Sequence, residues 1–200
     1  MYKQIKFRAS RLIDKLKTSM IKPDYGPKVF CIGFMKTGTT TLGKSFEMLG
    51  YRNSSYDYTV YRDYYLKNKM NKVLDYTARY ESFDDLPWSL ESVIPVMDEK
   101  FPKSKFVYLE RDEESWKKSL EDWSFYQTNK KKDAEKFLID FRNHKAFVLD
   151  YFKCRSSEEF IILDVRDENG FEKLADFLGK NTNKKAFPHF NKSKLGMDLI

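Results

Sequence analysis

The chain has 200 residues, of which 41% are hydrophobic and 34% charged, and its formal net charge is +7. This size and composition predict one globular domain, and they exclude a membrane helix because no apolar run approaches about 20 residues. The positive charge favours an anionic partner, although 30 acidic residues are interleaved with the basic ones. We do not expect that partner to be nucleic acid, because the sequence shows no basic recognition helix and no RNP-type aromatic strand.

Cysteine and histidine are scarce, with two of each in the chain. This set is too small for a typical zinc site, so we expect no metal. Cys31 lies in an apolar run, where a thiol packs as a small hydrophobic side chain. Because nothing requires a disulfide and the charged N-terminus lacks the apolar core of a signal peptide, we expect a reducing, cytoplasmic compartment.

Residues 1–27 form a basic lead-in segment, and we expect a single α/β domain over residues 28–200. Four apolar side chains of the segment fall roughly on one side of a helix: Ile5, Leu12, Ile13 and Leu16. We expect the segment to pack on the domain; contact with an anionic membrane surface is the alternative. The longest purely basic run, residues 130–132, is short and typical of a solvated surface.

Three apolar runs rich in strand-forming residues predict buried, parallel strands over residues 28–33, 105–110 and 160–164. The spacing of apolar residues predicts helices over five further segments: residues 39–49, 60–70, 113–123, 133–152 and 167–178. Strands that alternate with helices predict a three-layer, P-loop-like α/β fold, with a central, largely parallel sheet flanked by helices.

The first predicted strand runs into a loop with two glycines, Gly33 and Gly38, and then into a helix. Such a loop turns several backbone N–H groups, and the positive end of the helix dipole, toward an anion. Lys36 adds a positive charge. Three hydroxyl side chains add hydrogen-bond donors: Thr37, Thr39 and Thr40. The pattern therefore predicts a site for a phosphate-like anion.

The glycine spacing matches a nucleotide P-loop, but the lysine is displaced. A Walker A loop has lysine directly after the second glycine, where this chain has Thr39; its lysine stands before the glycine, at Lys36. The order Lys-Thr-Gly-Thr-Thr at residues 36–40 resembles the 5′-phosphosulfate loop of sulfotransferases of the compact bacterial type, which use 3′-phosphoadenosine-5′-phosphosulfate (PAPS). Methionine replaces the usual proline, and threonine the usual serine, at two positions: Met35 and Thr37.

A second segment carries the same resemblance. Sulfotransferases bind the 3′-phosphate of PAPS with an arginine at a strand end and a serine eight residues later; here Arg111 follows the second predicted strand and Ser119 stands eight residues on. Arginine offers a planar fork to phosphate, and serine one hydroxyl donor. An ion pair of Arg111 with Glu113 or Glu114 is the alternative. The resemblance covers roughly residues 28–191.

The C-terminal region resembles the tail of compact sulfotransferases over residues 169–179 and 187–191. The basic Arg-Lys-Gly tripeptide that covers the 3′-phosphate in larger relatives does not occur in that tail. Four polar residues are candidates for its role: His189, Asn191, Lys192 and Lys194. For His189, a hydrogen-bonded structural role is the alternative.

The resemblance implies transfer of a sulfuryl group from PAPS to a hydroxyl or amine, with release of adenosine 3′,5′-bisphosphate and no required metal. Lys36 is then the cation beside the leaving phosphate oxygen. Asp85 stands where cytosolic sulfotransferases have their base histidine, in an Asp-Asp-Leu-Pro-Trp run. Alternatively, Asp84 or Asp85 caps a helix that begins near Trp88.

The acceptor and two rival functions stay open. A carbohydrate or small metabolite is favoured as acceptor, because eight tyrosines between residues 51 and 80 would form a wall suited to rings; half-buried packing is the alternative for each. A kinase that uses ATP would need a lysine after Gly38 and a Mg²⁺-binding carboxylate such as Asp164. A non-catalytic nucleotide-binding protein of the same fold is the second rival.

Overall fold

The computed structural model describes residues 18–188. Within them, five strands form one parallel sheet: β1 (Val29–Cys31), β2 (Asn53–Ser54), β3 (Ser82–Phe83), β4 (Lys105–Leu109) and β5 (Phe160–Leu163). The strands lie in the order β2-β3-β1-β4-β5, so β1 is central, between β3 and β4. Because all the strands are parallel, their carboxyl ends share one edge of the sheet.

Helices connect these strands. They are α1 (Thr39–Met48), α2 (Met70–Thr77), α3 (Ile94–Lys100), α4 (Glu113–Thr128), α5 (Glu135–Tyr151) and α6 (Gly170–Phe177). A π-helical turn, Thr59–Tyr64, and a short 3₁₀ helix, Tyr65–Lys67, precede α2. This alternation of strands and helices confirms the predicted α/β class and its parallel sheet.

Side chains alternate along the central strands and form two cores. On one face, Val29 and Cys31 of β1 join a buried cluster with Leu42 and Phe46 of α1 and with Phe171 of α6. On the other face, the cluster draws its residues from β1, β4, α2, α3 and α5: Phe30, Phe106, Val73, Ile94 and Val148. The sheet is therefore covered by helices on both faces, which gives the predicted three layers.

A smaller core fixes α4 and α5 beside the loop that follows β1. It contains Trp116 and Leu120 of α4 with Leu138 and Phe141 of α5. The rings of Trp116 and Phe141 stack with their centroids 4.5 Å apart, and Phe34 of the loop packs against both. The position of α4 relative to this loop is therefore set by buried aromatic contacts.

Several element boundaries differ from the sequence-based prediction. The helix predicted over residues 60–70 is instead the π-helical turn and the 3₁₀ helix, which end where Asn68 adopts a left-handed conformation with a φ of 54°. The separate helix α2 follows, where the sequence pattern predicts none. α4 continues to Thr128 rather than ending near residue 123. The sequence pattern does not predict β2 and β3, because strands of two residues are too short to show a periodic pattern.

The end of the lead-in segment, residues 18–27, lies against the region between α2 and β3. The Asp24 N–H donates to the Ala78 carbonyl at 2.7 Å, and the hydroxyls of Thr18 and Tyr80 are 2.9 Å apart. The rest of the predicted lead-in helix, and with it the alternative of membrane contact, lies outside the described residues. None of the helices between residues 18 and 188 combines the length and the apolar character that crossing a bilayer requires.

Candidate functional site

The fold creates a crevice at the carboxyl edge of the sheet, between β1 and β4. The connection after β1 leads toward β2 on one side, and the connection after β4 leads toward β5 on the other. Loops that diverge in this way leave an opening in which parallel α/β proteins bind ligands. Residues 32–38 follow β1, residues 110–112 follow β4, and Asp84 and Asp85 follow the neighbouring β3. The predicted site residues of three separate segments therefore meet at this edge.

Two glycines shape the loop after β1. A Cβ atom on Gly33 would lie 2.9 Å from the Leu109 Cβ of β4, so a side chain there would push the loop away from the neighbouring strand. Gly38 has a φ of 112°, and a Cβ there would lie 2.7 Å from a methyl carbon of Val165. Glycine is therefore needed at both positions, and at Gly38 for the backbone conformation as well as for space.

Thr37 closes the turn from within. Its side chain is buried, its hydroxyl donates to the Phe34 carbonyl at 2.7 Å, and its N–H donates to the same oxygen at 3.3 Å. Lys36, immediately before it, has a φ of 69°, a left-handed conformation that few non-glycine residues adopt. Alternating right- and left-handed residues turn neighbouring N–H groups to one side, as in anion-binding nests.

The segment after β4 holds this loop through its carbonyl groups. The Trp116 indole donates to the Met35 carbonyl at 2.8 Å. Arg111 donates through Nη1 to the Lys36 carbonyl, also at 2.8 Å. With these oxygens bound on the protein side, the loop keeps its shape without a ligand.

The N–H groups at the start of α1 are not used by the protein backbone. In the described part of the chain, no backbone carbonyl accepts from Gly38, Thr39 or Thr40. Thr39 is half-buried and Thr40 is exposed, and their hydroxyls lie at the same end of the helix. Unused N–H groups at a helix start, together with the helix dipole, form a site for an anion.

Arg111 joins the two loops of the crevice. Besides binding the Lys36 carbonyl, it donates from Nε to the Ser115 hydroxyl at 3.0 Å. The alternative ion pair with Glu113 is not formed, because Glu113 binds Arg142 through two hydrogen bonds of 2.6 and 2.7 Å. Across residues 18–188, no carboxylate is close enough to form a direct ion pair with Arg111.

Ser119 lies one helical turn beyond Ser115 on α4, and Trp123 lies one turn beyond Ser119. Residues four positions apart share a face of a helix. Because Arg111 binds Ser115 and Lys36 contacts Trp123, this face of α4 is turned toward the loop after β1. Ser119 is half-buried between these two contacts, and it therefore borders the crevice.

Arg166, in the loop after β5, is a charged residue of the crevice that no sequence motif singles out. It binds Asp164, contacts Asp112 at 2.7 Å, and lies 3.2 Å from the Ser115 hydroxyl. The Ser115 N–H and hydroxyl, together with Arg166, hold the pKa of Asp112 well below its usual range. Arg166 thus links the loops after β4 and β5. Its sequence signal, an arginine just after a predicted strand, is too common to have identified it.

The Lys36 ammonium is half-buried within the crevice. Burial lowers its pKa, the nearby Arg111 lowers it further, and Asp85 partly opposes both effects. Its Nζ lies 5.0 Å from the centroid of the Trp123 ring, in a cation–π contact. Over the described range of the chain, Lys36 has no direct ion pair, so its charge is available to an anion.

Asp85 is close enough to Lys36 for their charges to influence each other. Burial raises the pKa of Asp85, although the Leu86 N–H, which donates to its carboxylate at 2.6 Å, and the Lys36 charge act in the opposite direction. The alternative role as cap of a helix near Trp88 does not apply, because the chain forms turns there and α3 begins at Ile94.

Asp84 is buried beneath α1 rather than open to the crevice. Its carboxylate accepts hydrogen bonds from the Asn53 amide at 2.9 Å and from the Ser55 hydroxyl at 3.3 Å. A Cβ atom on Gly43 would lie 2.4 Å from this carboxylate, so α1 rests directly on it. Burial raises the pKa of Asp84 to about 7. Asp84 and Asp85 are neighbours in sequence, but their surroundings differ.

The tyrosines of residues 51–80 pack mainly against the core. Four of them are partly buried there: Tyr64, Tyr65, Tyr76 and Tyr80. Tyr56 and Tyr58 are exposed. A small cavity of about 200 Å³ at the carboxyl end of β2 is lined by three of the set: Tyr56, Tyr76 and Tyr80. Half-buried packing, the alternative to a wall around an acceptor, therefore describes most of these side chains.

The predicted site residues fall into two groups. Those at the crevice come from the loop after β1, from the end of β3 and from the segment after β4: Lys36, Thr37, Gly38, Thr39, Thr40, Asp85, Arg111 and Ser119. The others lie outside the described residues: His189, Asn191, Lys192 and Lys194. As ligand contacts, all of them stay predictions.

The parallel sheet and the strand–loop–helix order at β1 and α1 define a P-loop-like α/β protein. The sequence matches the family model of the sulfotransferase domain over residues 28–133 and 122–195. The chain therefore belongs to the sulfotransferase domain family, a family of transferases, which confirms the predicted resemblance. The matched residues include the loop after β1 as well as Arg111 and Ser119. No curated protein matches the sequence.

Solved structures share the fold at low sequence identity. A sulfotransferase from Mycobacterium avium is 12% identical with a TM-score of 0.51, and the match covers 86% of this chain and 68% of that one. The sulfotransferase domain from the curacin biosynthetic pathway is 13% identical with a TM-score of 0.50, covering 81% and 77%. A gluconokinase from Sinorhizobium meliloti is 14% identical with a TM-score of 0.50, covering 78% and 93%. These likenesses establish the fold alone.

Proposed function

We propose that the chain transfers the sulfuryl group of PAPS to a hydroxyl or amine of a carbohydrate or small metabolite. The observation that carries this proposal is the unpaired positive charge of the crevice. Among residues 18–188, Lys36 and Arg111 have no direct ion pair, and the N–H groups that begin α1 have no backbone acceptor. Separate cationic and N–H donor groups suit a ligand with two anionic groups, such as PAPS.

The two ends of the donor are bound by different segments in this proposal. The N–H groups of residues 38–40 and the hydroxyls of Thr39 and Thr40 bind the 5′-phosphosulfate, whereas the Thr37 hydroxyl and N–H hold the turn through the Phe34 carbonyl. Arg111 and Ser119 bind the 3′-phosphate, and the proximity of Ser119 to the Arg111–Ser115 contact supports this pairing. His189 and Asn191 are further candidate contacts to the nucleotide.

Lys36 and Asp85 carry the chemistry. PAPS supplies the sulfuryl group. The acceptor oxygen or nitrogen forms a bond to sulfur while the bond between sulfur and the phosphate oxygen breaks. Adenosine 3′,5′-bisphosphate is the leaving group. Lys36 neutralises the charge that develops on that phosphate oxygen. Asp85 accepts the proton of the acceptor, and its pKa, raised by burial, makes it a stronger base than an exposed aspartate. Full turnover by Asp85→Asn would remove Asp85 from this role.

Two features favour this function over an ATP-dependent kinase. The residue after Gly38 is Thr39, so the Walker A lysine is missing. Asp164, the candidate Mg²⁺ ligand, instead binds the Arg166 Nε through both carboxylate oxygens, at 2.9 and 3.1 Å. A carboxylate held by arginine is a poor ligand for a metal–nucleotide complex.

Calorimetric titration separates these functions by their nucleotides. We expect adenosine 3′,5′-bisphosphate to bind, and Arg111→Ala to weaken its affinity at least about tenfold because a charge-assisted hydrogen bond is lost. Arg142→Ala is the matched control, since Arg142 is already paired with Glu113, and it should bind normally. Binding of ADP with Mg²⁺, but not of the bisphosphate, would contradict the proposal.

Transfer of labelled sulfate from PAPS to a panel of hydroxyl and amine acceptors tests the activity itself. Lys36→Ala should lower turnover by about 10²–10³-fold, the usual effect of removing a donor that stabilises charge in the transition state. Lys44→Ala removes an exposed lysine of α1 that pairs with Glu47, so it should turn over normally. A protein that binds the bisphosphate but sulfates nothing would be the non-catalytic rival.

A further inference from the structure

The Trp123 ring lies beside Lys36 at the crevice. Lys36 contacts this ring at 5.0 Å, and the charge of Asp85 acts on the Lys36 pKa, so the proposed cation has both the ring and the proposed base as neighbours. Trp123 is 39% exposed, whereas Trp88 and Trp116 are fully buried. An exposed indole face offers a flat apolar surface on which sugar or aromatic rings stack.

Lys132 brings a second cation to the same ring. Its Nζ lies 5.5 Å from the centroid of Trp123 and 5.3 Å from that of Phe137. The loop that carries Lys132, between α4 and α5, is fixed against α4 because the Lys132 N–H donates to the Ser124 hydroxyl at 2.7 Å. The position of Lys132 is therefore set by the fold and not only by a flexible side chain.

The charge of Lys132 is also unpaired. Its neighbour Lys131 lies 3.7 Å from Glu121, and Lys136 lies 3.8 Å from Asp133. Within the range 18–188, no carboxylate forms such a pair with Lys132. Of the lysines in the run 130–132, Lys132 thus combines an aromatic contact with a charge open to a ligand.

We propose that Trp123 and Lys132 form the acceptor subsite, which selects an acceptor that presents a ring together with a negatively charged group. This inference rests on the proposed sulfotransferase function and names the substrate class of that site. The acceptor ring stacks on Trp123, its anionic group contacts Lys132, and its hydroxyl is held between Lys36 and Asp85.

The position of Lys36 implies an order of binding. In the structure, the Lys36 ammonium rests on the Trp123 ring and covers part of the acceptor subsite. We infer that the ammonium leaves the ring when it turns toward the 5′-phosphosulfate of the donor. The donor therefore binds first and uncovers the surface on which the acceptor stacks.

The substrate class is tested with two glycosides, 4-nitrophenyl β-D-glucuronide and 4-nitrophenyl β-D-glucoside, which differ in one carboxylate. Calorimetry on protein saturated with adenosine 3′,5′-bisphosphate should show the glucuronide binding at least about tenfold tighter, because it adds a charge-assisted contact. Lys132→Ala should reduce this preference to less than about threefold, whereas Lys131→Ala, which alters the neighbouring paired lysine, should keep it. Trp123→Ala should weaken both glycosides, and Trp123→Phe should restore much of the affinity.

Equal affinity for the two glycosides, or no binding of the glucuronide, would overturn the inference. So would an equal preference in Lys132→Ala and Lys131→Ala. Binding of the bisphosphate is measured first and without glycoside: if it fails, the proposed function fails, and if it succeeds while the glucuronide does not bind, only the acceptor subsite is wrong.

The order of binding is tested by acrylamide quenching of tryptophan fluorescence, to which the exposed Trp123 is the accessible contributor. Adding the bisphosphate should increase quenching in the wild type, because Lys36 leaves the ring, and should not increase it in Lys36→Ala. A decrease in quenching would mean that the nucleotide itself covers Trp123, and it would overturn the assignment of this ring to the acceptor.

Discussion

The cationic residues in and around the crevice differ in whether a carboxylate forms an ion pair with them. Arg142 and Lys117 are each bound by a carboxylate, and Arg166 is bound by two, Asp112 and Asp164. Lys36 lacks such a partner in the part of the chain described, and its pKa is lowered by burial and by a neighbouring arginine. Like charges held close together cost stability, and a ligand anion would relieve that cost.

Asp84 should make the free energy of unfolding depend on pH, and this effect can be measured independently of ligand binding at the crevice. Its pKa rises from 3.8 to about 7 on burial, so the folded protein binds more protons between these values than the unfolded chain. The free energy of unfolding should therefore fall as pH rises from about 4 to about 7, by a few kcal/mol from this group, since one pKa unit is worth about 1.4 kcal/mol. Urea unfolding between these pH values measures it.

Asp84→Asn isolates this contribution. Asp85 adds a slope of the same sign because burial raises its pKa, whereas His144 adds the opposite slope because burial lowers its pKa. The variant keeps both of these groups, so the difference between its curve and that of the wild type reports Asp84. We expect a flatter curve for Asp84→Asn than for the wild type. Parallel curves for wild type and Asp84→Asn would show that the buried carboxyl does not titrate as stated.

At the scale of elements, the junction between the loop after β1 and α1 sets the geometry of the anion site. The start of α1 needs a left-handed residue at Gly38, and the loop must pass close to β4 and to Val165. Its carbonyl groups are bound by Trp116 of α4 and by Arg111, which follows β4. The N–H groups at the start of α1 are thus oriented by contacts of the preceding loop with β4, with α4 and with Val165.

Gly38→Ala should be more damaging than Gly50→Ala, which is its matched control. Both glycines have a positive φ, 112° and 88°, so an alanine at either position costs about 1–2 kcal/mol in backbone strain. Only at Gly38 would the new Cβ meet another residue, Val165, because nothing lies within 4 Å of Gly50. Urea unfolding should show a larger loss for Gly38→Ala.

Bisphosphate affinity gives a second comparison of the two variants. Gly38→Ala should also lose affinity because the anion site is displaced, whereas Gly50→Ala should keep it. Combining Gly38→Ala with Val165→Ala should recover part of the stability by removing the contact, with the strain remaining. Equal losses of stability and affinity in the two single variants would argue against a special role for Gly38.

At the scale of the whole molecule, the net charge of +7 and the unpaired cations of the crevice are separate sources of attraction for the anionic donor that we propose. Bisphosphate affinity should fall several-fold as salt is raised, because screening weakens both sources. Arg111→Ala and Arg142→Ala remove the same amount of net charge. We expect only Arg111→Ala to reduce the salt dependence, measured as the slope of log affinity against log salt concentration. Equal slopes in the two variants would assign the effect to net charge.

The local part of the site was predictable from the sequence, because it depends on residues close together in the chain. The strand–loop–helix order, the two glycines and the displaced lysine at Lys36 are contiguous, and Arg111 and Ser119 are related by the spacing of one strand end and one helix. Local backbone preferences and periodicity encode such features directly. They were sufficient to identify the fold class and the family.

Tertiary structure decided which of these segments touch and which neighbours they acquire. The order β2-β3-β1-β4-β5 places β1 beside β4, and this brings Arg111 to the Lys36 carbonyl. Burial beneath α1 separates the chemistry of Asp84 from that of Asp85, and the packing of α4 places Trp123 against Lys36. These contacts join residues far apart in the chain, so they depend on sheet order and helix packing, which no local pattern encodes.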